Sequence, residues 1–191
     1  MYHPEALEPI VDFVRGIGIG VEVGELGRHG LLPGTNVQGG VIHVDPETLI
    51  GSGDLLHEAG HIAIIPRRHW PRLGRDLQAS VEAVLAEETA AGTPDPKLAK
   101  AVAMGEMMAQ AWSYGAARHI GVSPGAVFFP GTHKHQQFEG THPMQAWIES
   151  GTHYGILALA EVGLTGFGGM FSHMGDNGLP PFPRFSRWTV D

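Results

Sequence analysis

The stretch Gly53-Asp54-Leu55-Leu56-His57-Glu58-Ala59-Gly60-His61-Ile62-Ala63-Ile64-Ile65-Pro66 decides how this chain is read. Its flanks are apolar nearly all round, the mark of a buried helix. That helix is predicted over Asp54–Ile65, with Asp54 or Ser52 as its N-cap and Pro66 as its stop. Residues four apart on a helix sit one above the other, so His57 and His61 can present two imidazoles to one ion. Glu58 flanks the same face, where its carboxylate can hydrogen-bond a water held at that ion without taking a coordination position. Zinc lowers the pKa of such a water to about 7, and Glu58 can then accept its proton during attack on a carbonyl. The pattern HExxH is short and also occurs by chance, as two surface histidines with a Glu–His pair. Two features weigh against that here. Buried imidazoles and carboxylates are costly in an apolar helix unless paired or metal-bound, and Ala59 and Gly60 are small enough for another element to approach.

The hexapeptide Leu56-His57-Glu58-Ala59-Gly60-His61 resembles the active-site helix of zincin metallopeptidases. Val41 to Val44 sits where zincins put an edge strand that pairs with extended substrate. A looser pattern is similar to small uncharacterised bacterial proteins of minimal zincin type, over Leu31 to about Leu164. It comprises Pro33-Gly34, Gly40-Val41, Val44-Asp45-Pro46, the run from Gly53 to Glu58, and Ala111-Trp112-Ser113-Tyr114. Many zincins carry Val or Thr three residues before the first histidine, where this chain has Asp54. The resemblance implies a zinc-dependent hydrolase, foremost a metallopeptidase, acting on a peptide or other amide substrate with Glu58 as general base.

A catalytic zinc takes three protein ligands and leaves one position for water. The extended motif HExxHxxGxxH is absent, because Ile64 and Arg67 stand at its last two fixed positions. The third ligand is therefore expected on another element, as in the Glu-zincins, where a second helix supplies a carboxylate. Glu106 is the expected residue. Between Lys100 and Arg118 its helix is apolar on nearly every side apart from Glu106, Gln110 and Ser113, and an ionised carboxylate buried there calls for a cation. Gly105 is expected to permit close packing beside it. Gln110 falls where many Glu-zincins place an Asp that orients a histidine. The competing reading makes Glu106 a solvent-facing acid, and Glu88 is the next candidate because it continues the Leu77, Val81, Val84 stripe.

Twelve histidines raise the prior for a metal site. His133, His135, His142 and His153 gather in a Gly-rich region that suits either metal binding or a polar loop beside the cleft. His153, Tyr154 and Tyr114 are candidates for oxyanion stabilisation, the role a His or Tyr outside the motif often has in zincins. His3, His29, His43, His69, His119 and His173 read as structural or surface residues.

The chain has 191 residues, enough for a single α+β domain. Residues 1–50 are expected to be its mainly β part, 51–165 its helical part with the metal site, and 166–191 an irregular wrap. Helices are predicted at Pro4 to Arg15, Asp76 to Ala91, Lys97 to Ile120, Pro143 to Ser150 and His153 to Val162. Strands are predicted at Ile17 to Val23 and Val37 to Val44, with turn signals at Leu32-Pro33-Gly34-Thr35-Asn36 between them. No cysteine is present, so a metal site has nitrogen and oxygen ligands only. A net charge of −8 argues against nucleic acid. Arg67, Arg68, Arg72 and Arg75 read as a solvated loop, with steering of an acidic substrate as the lesser alternative. No apolar run approaches the ~20 residues of a bilayer span, and no signal-peptide pattern opens the chain, so the cytoplasm is expected. Two other function classes stand beside hydrolysis. One is a metal-binding regulatory domain without turnover. The other is a structural zinc site closed by His133 or His135 as a fourth ligand.

Overall fold

The β-branched stretch predicted as one strand from Val37 to Val44 is two. Gly39 and Gly40 take φ of 59° and 75°, the backbone of a two-residue type I′ turn. They join β2 (Thr35–Gln38) to β3 (Val41–Val44) as an antiparallel hairpin, with Gln38 opposite Val41 and Thr35 opposite Val44. β1 (Gly20–Val23) is shorter than predicted and runs parallel to β3 on its other side. The sheet order is β1-β3-β2. Val41 to Val44 is therefore the central strand and not the substrate-pairing edge, because both of its hydrogen-bonding sides are taken. The computed structural model describes residues 1–26 and 33–191. His29, Leu31 and Leu32, with the readings placed on them, lie outside the described residues.

A short 3-10 turn at Pro4–Ala6 leads into α1 (Leu7–Gly16), which buries Ile10, Val11 and Val14 against β1 and α2. α2 (Ser52–Ala63) carries the histidines. Its N-cap is Gly51, in extended backbone, and neither Ser52 nor Asp54. The Ser52 hydroxyl instead donates to the His3 carbonyl at 2.6 Å. Asp54 lies one turn in, and its carboxylate accepts from the Gly51 amide at 3.3 Å, as the third residue of a capping box does. α3 (Leu77–Ala90) is capped by Asp76 and α4 (Pro96–His119) by Asp95, each side chain accepting a first-turn amide. α5 (Pro143–Glu149) and α6 (Tyr154–Glu161) follow, within two residues of their predicted ends.

α4 is the spine, with α2 and α6 packed along it and α3 and α5 touching it. The C-terminal stretch closes over this packing. Its Trp188 carbonyl accepts from Trp112 Nε1 at 2.9 Å, and the Val190 amide donates to the Ala63 carbonyl at the end of α2, also at 2.9 Å. One cluster of buried apolar side chains runs from α1 to Val190. The fold class is α+β. Among the described residues no helix is long and apolar enough to cross a membrane. Arg67, Arg68, Arg72 and Arg75 are exposed, as a solvated loop requires, and the protein's own groups also hold Arg67, Arg68 and Arg72. Arg68 pairs with Asp95 and Glu88, Arg72 with Glu87, and Arg67 donates to the Ile17 carbonyl while lying over the Trp70 ring.

α6 meets α4 where Gly155 faces the Met107 carbonyl, and a Cβ at Gly155 would lie 2.0 Å from that oxygen. Gly155→Ala is expected to cost about 1–3 kcal/mol, because one element must move to admit the methyl group. Gly105 is the contrast. It does not mediate close packing, since nothing lies within 4 Å of where its Cβ would stand. Gly105→Ala should be neutral or add up to about 1 kcal/mol of helix propensity. Thermal melts of the two variants check this, and equal losses would contradict the packing described.

Candidate metal centre

Gly60 lets α4 lie close over α2: a Cβ at Gly60 would stand 3.1 Å from the Ala109 carbonyl and 3.2 Å from the Trp112 ring. The face of α4 turned to α2 carries Glu106, Ala109, Gln110 and Ser113, one helical turn apart. Glu106 is thereby brought over the two histidines. The Nε2 atoms of His57 and His61 are 3.2 Å apart. Glu106 Oε2 is 3.3 Å from His61 Nε2 and 3.6 Å from His57 Nε2. The corners of a tetrahedron around an ion with bonds of about 2.05 Å are roughly 3.3 Å apart. The two nitrogens and the oxygen stand at that spacing, and the three residues suit a zinc-like ion in donor type as well.

Glu106 is not embedded among apolar side chains, as its helix pattern suggested. Its side chain is 58% exposed and faces a cavity. Desolvation acts to raise its pKa, but hydrogen bonds from His133, His57 and His61 outweigh it and hold the carboxyl well below the usual carboxylate range. Burial lowers the pKa of His57. At His61 burial acts in the same sense, but the carboxylates of Glu106 and Glu58 prevail and raise it. Burial also pushes Asp54 up to about 6, opposed by the Gly51 amide and assisted by Glu58.

The cavity has a volume of about 680 Å³. His57, Glu58, His61 and Glu106 line it together with Asp54 and His133, and its apolar wall is Tyr2, Ile50, Val127 and Phe129. Tyr2 and Phe129 stack at 4.9 Å. Glu58 is 8% exposed, with that exposure turned to the cavity.

The other sequence candidates fall elsewhere. His153 is fully buried and caps α6, its Nδ1 accepting from the Gly155 amide at 3.2 Å. Tyr154 lies against Phe171 with half its surface exposed. Tyr114 packs between Phe128 and Phe182, its hydroxyl 3.4 Å from Glu149. None of the three lines the cavity, so none is placed to meet an oxyanion there. Glu88 is bound to His69, at 3.2 Å, and to Arg68. Gln110 does not orient a ligand histidine. Its nitrogen donates to Glu106 Oε1 at 2.9 Å, and its oxygen faces His153 Nε2 at 3.2 Å.

Of the loop histidines, His133 alone joins the cavity wall. Its Nδ1 is 3.3 Å from Glu106 Oε1 and its ring 4.9 Å from that of His57. His135 packs against His142, whose Nδ1 caps α5. Sequence reasoning noted the His133-x-His135 pair but had no basis for choosing between its members, because a loop has no period. Asp54, expected as a cap and as a departure from the zincin pattern, also faces the cavity with its carboxylate. No family model, no curated protein and no solved structure matches this chain.

Proposed function

We propose that the chain is a zinc-dependent hydrolase of amide bonds, foremost a metallopeptidase of zincin type. The observation that carries this reading is the spacing of His57 Nε2, His61 Nε2 and Glu106 Oε2, 3.2 to 3.6 Å from one another. It stands beside a base-bearing cavity of about 680 Å³. When bound, zinc supplies a Lewis acid for the scissile carbonyl and lowers the pKa of water at the site. His57, His61 and Glu106 hold the ion with two neutral donors and one anionic donor, leaving a net positive centre. Glu58, which lines the same cavity as His57 and His61, takes the proton of the attacking water and returns it to the leaving amine. Tyr2, Ile50 and Phe129 give the substrate an apolar wall and keep bulk water from part of the cleft.

Zinc-loaded protein is expected to cleave members of a mixed peptide library, read by mass spectrometry of the products. Chelation should abolish the cleavage and added zinc restore it. Stoichiometric zinc without cleavage of any peptide or simple amide would overturn the hydrolase reading in favour of a metal-binding regulatory domain.

A further inference from the structure

Behind the cleft runs a hydrogen-bond chain that ends on Glu106, and it begins at the backbone. The Gly155 amide donates to His153 Nδ1 at 3.2 Å. A neutral imidazole whose Nδ1 accepts carries its proton on Nε2, and burial lowers the His153 pKa to about 4, keeping the ring neutral near pH 7. His153 Nε2 therefore donates to Gln110 Oε1 at 3.2 Å. This contact decides which way round the Gln110 amide sits: oxygen to His153, nitrogen to Glu106. Glu106 Oε1 accepts from that nitrogen at 2.9 Å and faces His133 Nδ1 at 3.3 Å. His133 Nδ1 also lies 3.2 Å from the Gln110 nitrogen, from which it would accept as the Nε2–H tautomer. The charged carboxylate is the stronger partner and favours the Nδ1–H tautomer, which donates to Oε1. Oε1 thus has two donors, while Oε2 is left to face His57 and His61.

His133 reaches this position at a conformational cost. Its backbone is left-handed, φ 49° and ψ 35°, which L side chains rarely adopt. Its ring is 7% exposed, against His57 and Phe128, and its Nε2 is buried without a hydrogen-bond partner. Backbone of this kind costs on the order of 1–3 kcal/mol and persists only where its surroundings hold it.

We propose that Gln110 and His133, with His153 behind Gln110, are positioning residues that commit Oε1 of Glu106. The carboxylate then meets the ion through Oε2 alone, and a coordination position stays open. The proposal rests on the reading that His57, His61 and Glu106 hold a metal. A carboxylate with both oxygens free can turn to grip an ion through both, filling the place that substrate or water needs.

Zinc affinity by chelator competition and the visible spectrum of the cobalt(II)-substituted protein test this without any activity assay. Four-coordinate cobalt absorbs more strongly in the visible than five-coordinate cobalt. Gln110→Leu and His133→Gly should each weaken zinc about 10–100-fold, the usual effect of losing a partner behind a ligand, and should lower the cobalt absorption. His133→Asn should retain near-native behaviour, since its amide nitrogen superposes on Nδ1 and Asn tolerates left-handed backbone. His153→Gln, which keeps a donor at the Nε2 position, should do the same, whereas His153→Leu should follow Gln110→Leu. Glycine suits the backbone at 133, so His133→Gly keeps the test open if a core variant fails to fold. Native affinity and spectrum in His133→Gly and Gln110→Leu would overturn the clamp and leave the metal centre standing. So would weakened zinc with an unchanged cobalt spectrum, which marks general loosening. A wild-type protein that takes up neither ion would overturn both.

Discussion

Glu58→Gln is expected to bind zinc as the unaltered protein does and to lose at least about 100-fold in kcat/KM, the lower end of what a positioned general base contributes. That factor corresponds to about 2.7 kcal/mol of transition-state stabilisation. Glutamine has the shape of glutamate and a lone pair for a hydrogen bond, so it can still orient a water, but it cannot take the proton. Glu58 is not one of the three residues whose donor atoms converge, so metal content should not follow activity. Its side chain lies on α2 with little exposure, and the amide substitution preserves its volume, so the melting temperature should move little. Atomic absorption and steady-state kinetics on one preparation separate these effects. A variant that keeps both its zinc and its rate would remove Glu58 from the mechanism and leave the cleft without its base.

What was legible in the sequence follows period and composition. The apolar surround of His57 and His61, ended by Pro66, identifies α2 because burial on all sides leaves no other pattern. Glu106 stands out for a related reason, as the lone acid in an apolar stretch. The structure brings it to the histidines but not by burying it: it projects into a cavity, which no helical period reveals. The sheet was less legible. Gly39-Gly40 between β-branched runs is a hairpin signal, yet the β-propensity on either side reads through it as one strand. That β3 is central depends on a parallel partner some twenty residues upstream, and such non-local pairing leaves no local trace. His153 and Tyr154 are neighbours in sequence, yet α6 begins between them. One side chain turns inward as the cap toward Gln110 and the other outward to Phe171.

About one zinc per chain is expected in the unaltered protein, and either His57→Ala or His61→Ala should bring it to background. Three donors are the fewest that a catalytic zinc uses, so deleting one leaves a pair that water and chelators outcompete. The loss should exceed the 10–100-fold assigned to residues behind the ligands. Glu106→Gln should fall between these cases, since an amide oxygen can still coordinate but carries no charge against the dication. The two histidines should also differ in how protons compete with zinc, because each must be neutral to bind. His61 titrates above the ordinary 6.5 in the metal-free protein, since Glu106 and Glu58 outweigh its burial. His57 titrates below 6.5, because there burial prevails. As pH falls, apparent zinc affinity should therefore decline first with a slope of about one proton, set by His61, and steepen toward two once His57 also protonates. Chelator competition between pH 8 and 5 measures that curve. A flat profile, or near-full zinc in either alanine variant, would mean that the ion sits elsewhere and that the convergence of His57, His61 and Glu106 is an ion pair between imidazole and carboxylate.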